Sequence, residues 1–152
     1  MKASAGILAY KYLDDELMVF LVHPGGPFWK NKDANSWSIP KGEFVDPELP
    51  FEAAKREFEE ETGFTAEGDF LPLEPVKLKS GKVVYAWAVE SDVDANAINS
   101  NDFEMEWPPK SGRLQRFPEV DRAEWFSTEH ALEKINAAQA GFLEQLIRLL
   151  NK

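Results

Sequence analysis

The stretch Gly42-Glu43-Phe44-Val45-Asp46-Pro47-Glu48-Leu49-Pro50-Phe51-Glu52-Ala53-Ala54-Lys55-Arg56-Glu57-Phe58-Glu59-Glu60-Glu61-Thr62-Gly63-Phe64 decides how this chain is read. A helix is expected from about Pro50 to Thr62, because Pro50 stands where a missing N–H costs nothing and Gly63 supplies a stop. Leu49 is a poor N-cap, so the start is open by a residue or two. At 3.6 residues per turn Glu57, Glu60 and Glu61 share one face, with Pro50 and Ala53 leaving room in front of it. Phe51, Ala54 and Phe58 form the adjoining stripe, expected to enter the core. Each acidic i,i+4 pair costs a helix roughly 0.2–0.5 kcal/mol, and these glutamates crowd the end where the helix dipole disfavours anions. Such a break with local rules tends to mark function. A hard divalent cation removes the conflict, since Mg2+ prefers carboxylate oxygens together with water and phosphate oxygens.

Upstream of this stretch, Trp37 to Val45 reads as a short strand broken by Pro40 and Gly42. Before it, Pro24 to Ser36 is rich in Gly, Pro, Asn and Lys, an exposed loop of the length that often carries function. Ser4 to Tyr10 and Leu17 to His23 are apolar runs joined by Asp14-Asp15, and read as a hairpin. Downstream, Lys82 to Glu90 is apolar on both alternating faces and is expected to be a central, doubly covered strand. Asp92 to Asn101 reads as a polar loop, Phe103 to Trp107 as a short strand ended by Pro108-Pro109, and Ala123 to Phe126 as another strand. Thr128 is expected to cap a short helix through Ile135, and Phe142 to Leu150 has helical spacing that should dock on the sheet. Strands interleaved with helices, some of them antiparallel, indicate an α/β fold with a mixed sheet covered on both faces.

Composition narrows the function classes. The 152 residues, 43% hydrophobic, suit one domain spanning 1–152. The formal net charge of −10 argues against long nucleic acid as a partner, because that binding depends on Lys and Arg displacing counterions. With no cysteine, thiolate nucleophiles and Cys-based zinc sites are excluded. His23 and His130 are far apart and form no ligand-spaced pair. The apolar run that follows Met1-Lys2 stops at Lys11, too short to span a bilayer and lacking a cleavage pattern, which gives the expectation of a cytoplasmic protein with no membrane partner.

A charge run on a helix is ordinarily a solvated face. Here, however, Gly42, Glu48, Arg56, Glu57, Phe58, Glu60, Glu61, Gly63 and Phe64 fill the pattern G-x5-E-x7-R-E-u-x-E-E-x-G-u, where u is bulky and apolar. With seven polar or Gly positions at roughly 6% each, a chance match at one start is on the order of one in a hundred million or rarer, which displaces the solvated-face reading. The segment 42–64 thereby resembles the Nudix box. The resemblance implies an α/β/α sandwich in which the box forms a loop-helix-loop, with divalent-metal hydrolysis of a phosphoanhydride bond in a nucleoside diphosphate-linked substrate.

Carried over position by position, the resemblance implies that Glu57, Glu60 and Glu61 bind Mg2+ or Mn2+, with the backbone carbonyl of Lys41 as a further ligand. It makes Arg56 the partner of a box carboxylate, Glu48 or, in competition, Glu52. Gly42, Glu48, Arg56 and Gly63 are then structural support. Family members often add a carboxylate ahead of a Trp-containing strand, and Glu119 fits that description; Glu104 and Glu106 are weaker candidates. The catalytic set expected is Glu57, Glu61 and Glu119, with Glu57 or Glu119 as the base that activates water. The run Trp37-Ser38-Ile39-Pro40-Lys41-Gly42-Glu43 is similar to the Trp…Pro-Lys-Gly run of diadenosine tetraphosphate hydrolases, which suggests a dinucleoside polyphosphate or a nucleoside triphosphate. Lys41, Lys30, Lys32, Lys79 and Lys82 are candidates for the phosphates, and Phe28, Trp29 or Tyr85 for stacking on a base; Trp87 and Trp125 are assigned to the core. The alternatives are a nucleotide sugar such as ADP-ribose, or a nucleotide-sensing module without turnover, in a monomer or homodimer.

Overall fold

The computed structural model describes residues 3–151, so the Met1-Lys2 start of the N-terminal run lies outside the described residues. Strand β1 (Ala3–Leu13) turns through Asp14 and Asp15 into β2 (Glu16–Pro24). Both aspartates have positive φ, 51° and 68°, as a two-residue hairpin loop whose twist matches its strands requires. Then follow β3 (Lys41–Phe44), helix α1 (Pro50–Thr62), β4 (Leu71–Lys77), β5 (Val83–Glu90), β6 (Asp102–Glu106), β7 (Leu114–Pro118), β8 (Val120–Ser127), α2 (Thr128–Lys134) and α3 (Ala140–Leu150). The main sheet runs β4-β5-β1-β2-β8, with β3 also paired to β1, and β6 and β7 form a separate hairpin. Among the strands of this sheet β1 and β5 pair in parallel and the other neighbours antiparallel, so the sheet is mixed.

Alternation along the strands builds two cores. Leu8, Val19, Leu21, Val84, Ala86 and Ala88 face α2 and α3 through Ala131, Phe142, Leu143 and Leu146. Ala5, Ile7, Ala9, Phe20, Val22 and Val89 face the other way, onto Ala53, Ala54 and Phe58 of α1. The doubly covered β5 and the docked C-terminal helix are as the sequence indicated. Trp87 and Trp125 pack partly buried against the α1-side core.

Four details depart from the sequence reading. Gly42 does not break a strand but lies within β3, opposite Ala5, while Trp37 and Ser38 make only isolated bridges. Ala53 is fully buried and belongs to the core, because α1 leans on the sheet along the Ala53, Ala54 and Phe58 line. The cap of α2 is Ser127, whose side chain accepts from the N–H of His130, one residue before Thr128. Finally, β4 and β7 are strands the sequence did not announce. Among the described residues, no helix is long and apolar enough to cross a membrane.

Candidate active site

The site begins where β1 changes partner. Ala3 to Gly6 pair with β3, whereas Tyr10 to Leu13 pair with β2. Between these ladders β2 and β3 fork, linked by Val22 and Ser38, which exchange backbone hydrogen bonds of 2.8 and 3.0 Å. Gly6 permits the fork, since a Cβ there would meet the Pro40 oxygen at 2.5 Å and the Lys41 Cβ at 2.6 Å. A cavity of about 250 Å³ opens there, lined by Val22, Pro24, Trp29, Ser36, Ser38, Lys41, Glu61, Glu119, Val120 and Asn136.

Helix α1 delivers the acids. Leu49 gives no side-chain cap, Pro50 opens the helix, and Gly63 closes it with φ 82°. Glu57 is buried. Its carboxylate nestles against the β3 backbone where a Cβ on Gly42 would overlap it, so this glycine is the space the carboxylate occupies. Glu61 accepts from the Lys41 N–H at 3.2 Å.

Glu119 arrives from the junction of β7 and β8, and the end of α1 fixes it there. The last carbonyls of a helix lack intrahelical donors. Here Asn101 N–H donates to Glu60 O (2.7 Å) and Asn99 N–H to Thr62 O (2.9 Å), and Asn101 O in turn accepts from Glu119 N–H (2.8 Å). As a result Glu57, Glu61 and Glu119 each offer an oxygen within 4.8 Å of the others.

Arg56 organises the remaining charges. It grips Glu48 through Nε (2.7 Å) and Nη2 (2.9 Å), and Nη1 donates to Glu60 Oε2 (2.7 Å) and Glu57 Oε2 (3.0 Å). The Glu48 pairing is as expected from the sequence, and Glu52 instead meets Lys55 at 3.4 Å. Glu60 points along the helix face the spacing indicated, but Arg56 engages it and it stands outside the three-carboxylate group.

The electrostatics follow the burial. Glu61 is held well above the ordinary carboxylate range, first by burial and then by Glu57. Glu57 is raised by burial and by Glu60 against the opposing pull of Arg56, and Glu119 by burial and by Glu60. Burial, with Lys82 adding to it, brings the Lys41 ammonium below its usual range despite the nearby Glu61 and Glu43. The Arg56 hydrogen bonds hold Glu48 below its ordinary value. Three oxygen donors whose ionised forms are penalised by burial and mutual repulsion fit a hard divalent cation, which takes such ligands and removes that penalty.

Of the substrate candidates, Lys41 and Trp29 line the cavity. Tyr85 lines a separate depression with Phe44, Glu48 and Pro50, and Lys79 sits in the turn between β4 and β5. Exposed Phe28 meets Trp107 edge-on at 5.4 Å, Lys32 lies 5.0 Å from the Trp29 ring, and Lys82 pairs with Glu43 at 2.9 Å. Glu106 is occupied in capping the β6–β7 turn, accepting from the N–H groups of Lys110 and Gly112, and Glu104 is exposed on β6. The sequence reading missed Ser36, Ser38 and Asn136. The two serines flank Trp37 in a segment already singled out, whereas nothing local marks Asn136.

The NUDIX domain family model matches residues 3–146. No match was found among curated proteins. Among solved structures, the chain is similar to an Ap4A hydrolase of C. elegans in a binary complex, with 22% identity, 99% of this chain and 98% of that one covered, and a TM-score of 0.63. It is also similar to the NUDIX domain of Shewanella oneidensis NrtR complexed with ADP ribose (18% identity, 98% and 88% covered, TM-score 0.66) and to a mutT/nudix family protein from Listeria innocua (17%, 98% and 92%, 0.61).

Proposed function

Because the chain belongs to the NUDIX family, and is a pyrophosphohydrolase on that ground, we propose that it cuts a phosphoanhydride bond of a dinucleoside polyphosphate or nucleoside triphosphate at the Glu57, Glu61 and Glu119 cluster. The observation that carries this reading is the convergence of those three carboxylates, two of which, Glu61 and Glu119, line a cavity together with Lys41 and Trp29. Glu57 and Glu61, with Glu119 and the Lys41 carbonyl, would hold Mg2+ or Mn2+, and Glu60 would steady Arg56. When bound there, such an ion neutralises phosphate oxygens and makes water a stronger nucleophile.

The chain's own residues supply the rest. Glu119 takes the proton of the attacking water. Burial raises its pKa and among the described residues no Lys or Arg side chain pairs with it, so a carboxylate oxygen not taken up by the ion would remain to accept that proton. Glu57 is the weaker candidate for base because Arg56 draws on its Oε2 at 3.0 Å. Lys41 meets phosphate charge inside the cavity, and the Trp29 ring offers a stacking face at its rim. Holding the phosphate chain and the water together accounts for most of the acceleration in reactions of this kind.

The test is a panel of dinucleoside polyphosphates, nucleoside triphosphates and ADP-ribose, assayed with Mg2+ and with Mn2+ and followed by product analysis. The expected result is highest kcat/KM on the first two classes and a loss of several orders of magnitude in Glu61→Gln. Preference for ADP-ribose would shift the substrate class. Tight nucleotide binding without turnover in either metal would replace the enzyme with a sensing module.

A further inference from the structure

His23 is fully buried near the end of β2, and neither the carboxylate cluster nor the cavity lining includes it. Its ring stands edge-on to Trp37, with centroids 5.2 Å apart. Nε2 lies 2.6 Å from the carbonyl oxygen of Lys32, and Nδ1 lies 2.8 Å from Asp121 Oδ1. A carbonyl oxygen only accepts, so Nε2 donates to Lys32, while Nδ1 shares its hydrogen bond with the Asp121 side chain. The ring therefore ties the loop that carries Trp29 to the strand that follows Glu119.

The backbone shows what that tie holds. The β2–β8 register slips here: His23 is opposite Arg122 and Pro24 is opposite Val120, which leaves Asp121 as the extra residue of a bulge. Bulges beside functional sites re-aim side chains. Gly25 N–H donates to Glu119 O at 2.9 Å, and a Cβ on Gly25 would overlap the Pro118 carbonyl, so loop and bulge lie backbone to backbone. Asn101 holds Glu119 from the α1 side. The other side is held by Gly25 and by the bulge that His23 pins.

We propose that His23 is a positioning residue: by bridging Lys32 and Asp121 it fixes the bulge that aims Glu119 at Glu57 and Glu61 and fastens the loop of Trp29 over the cavity. This rests on the role given to Glu119 under Proposed function. The two partners lie beyond different nitrogens of one rigid ring. Gln, with a single amide nitrogen, cannot reach both, and Phe keeps the ring's volume but neither bond.

The experiment compares His23→Phe, Glu119→Gln and the double variant by kcat, by KM and by the Mg2+-induced rise in Tm measured without substrate. Loss of a residue that orients a metal ligand costs about 10–100-fold in activity or metal affinity, so His23→Phe is expected to lower kcat in that range and to shrink the Mg2+-induced rise. In the Glu119→Gln background the same change is expected to cost less than about twofold, since it acts through a side chain already lost. Equal losses in both backgrounds, or native turnover in His23→Phe, overturn the proposal. If His23→Phe does not fold, Asp121 serves instead, since its side chain is about one-third exposed. Asp121→Ala is expected to give the same non-additive loss, and Asp121→Asn, which retains a polar partner for Nδ1, to recover turnover to within about threefold of native. An Asp121→Ala protein as active as native, or one additive with Glu119→Gln, overturns the proposal equally. Native turnover in Glu119→Gln alone refutes the assignment of Glu119 and this inference together, whereas a loss there with additive His23→Phe refutes only the latter.

Discussion

Gly42→Ala tests whether the box glycine exists to make room for a carboxylate. Gly42 is in β3 opposite Ala5, and it is not among the positive-φ residues, so alanine fits its backbone. A compatible Gly to Ala change stabilises by about 0.4–1 kcal/mol through the unfolded chain. The new Cβ would, however, overlap Cδ and both oxygens of Glu57. Carbon needs about 3.5 Å to its neighbours, so the Glu57 carboxylate must withdraw by more than about 1 Å. A misplacement of about 1 Å in catalytic geometry can cost about 100-fold in rate. The expected protein thus has a metal-free Tm within a few degrees of native, a kcat lowered by about two orders of magnitude and a weakened Mg2+-induced rise in Tm. Thermal melts with and without Mg2+, alongside steady-state kinetics, read all three. A folded Gly42→Ala protein with kcat/KM within about threefold of native would refute the reasoning, because Glu57 would then tolerate displacement.

Glu61→Gln is expected to lower turnover by several orders of magnitude yet stabilise the metal-free protein. The folded pKa of Glu61 is raised above 4.5, so its contribution is fully present below that value and is lost as pH rises through the folded pKa; the variant's advantage in Tm should grow over that interval. Glu48→Gln has the opposite sign. The lowered Glu48 pKa gives stability present above 4.5 and lost as pH falls through the folded value, so the variant should trail native by about 0.5–1 kcal/mol at neutral pH and converge with it in acid, read by urea melts. Trp29→Ala should raise KM by about tenfold with kcat nearly kept, since stacking on a base is worth about 1–3 kcal/mol and is made in ground and transition states alike; a fall in kcat with KM unchanged would count against a stacking role.

How far the sequence could be read depended on whether the deciding forces were local. Helix α1 is found at Pro50–Thr62 as expected, because Pro50 and Gly63 act within a residue or two of where they stand. By contrast, β4 carries Pro72 and Pro75 and little alternation; it forms because it lies at the sheet edge, where only one side must pair. β7 buries almost nothing and is defined by its partner β6. The site divides in the same way. Periodicity brought Glu57 and Glu61 together and gave Glu60 the same direction, and Arg56 bonds both Glu60 (2.7 Å) and Glu57 (3.0 Å). Glu119 completes the group from 58 residues beyond Glu61 through Asn101, and no local pattern encodes that link.

The same division explains how a helix that concentrates negative charge can persist without a metal. Each acidic i,i+4 pair costs about 0.2–0.5 kcal/mol, whereas full burial of a side chain such as Phe58 contributes about 1.5–3 kcal/mol. Phe58, Ala53 and Ala54 are fully buried, so packing on the α1-side core outweighs repulsion on the face next to it, and Arg56 relieves part of that repulsion through Glu48, Glu57 and Glu60. The core-facing stripe therefore holds α1 in place while the carboxylates remain underneutralised. The packing that holds α1 thus does not depend on a cation, and a divalent ion attracted by that residual charge would meet a site already folded.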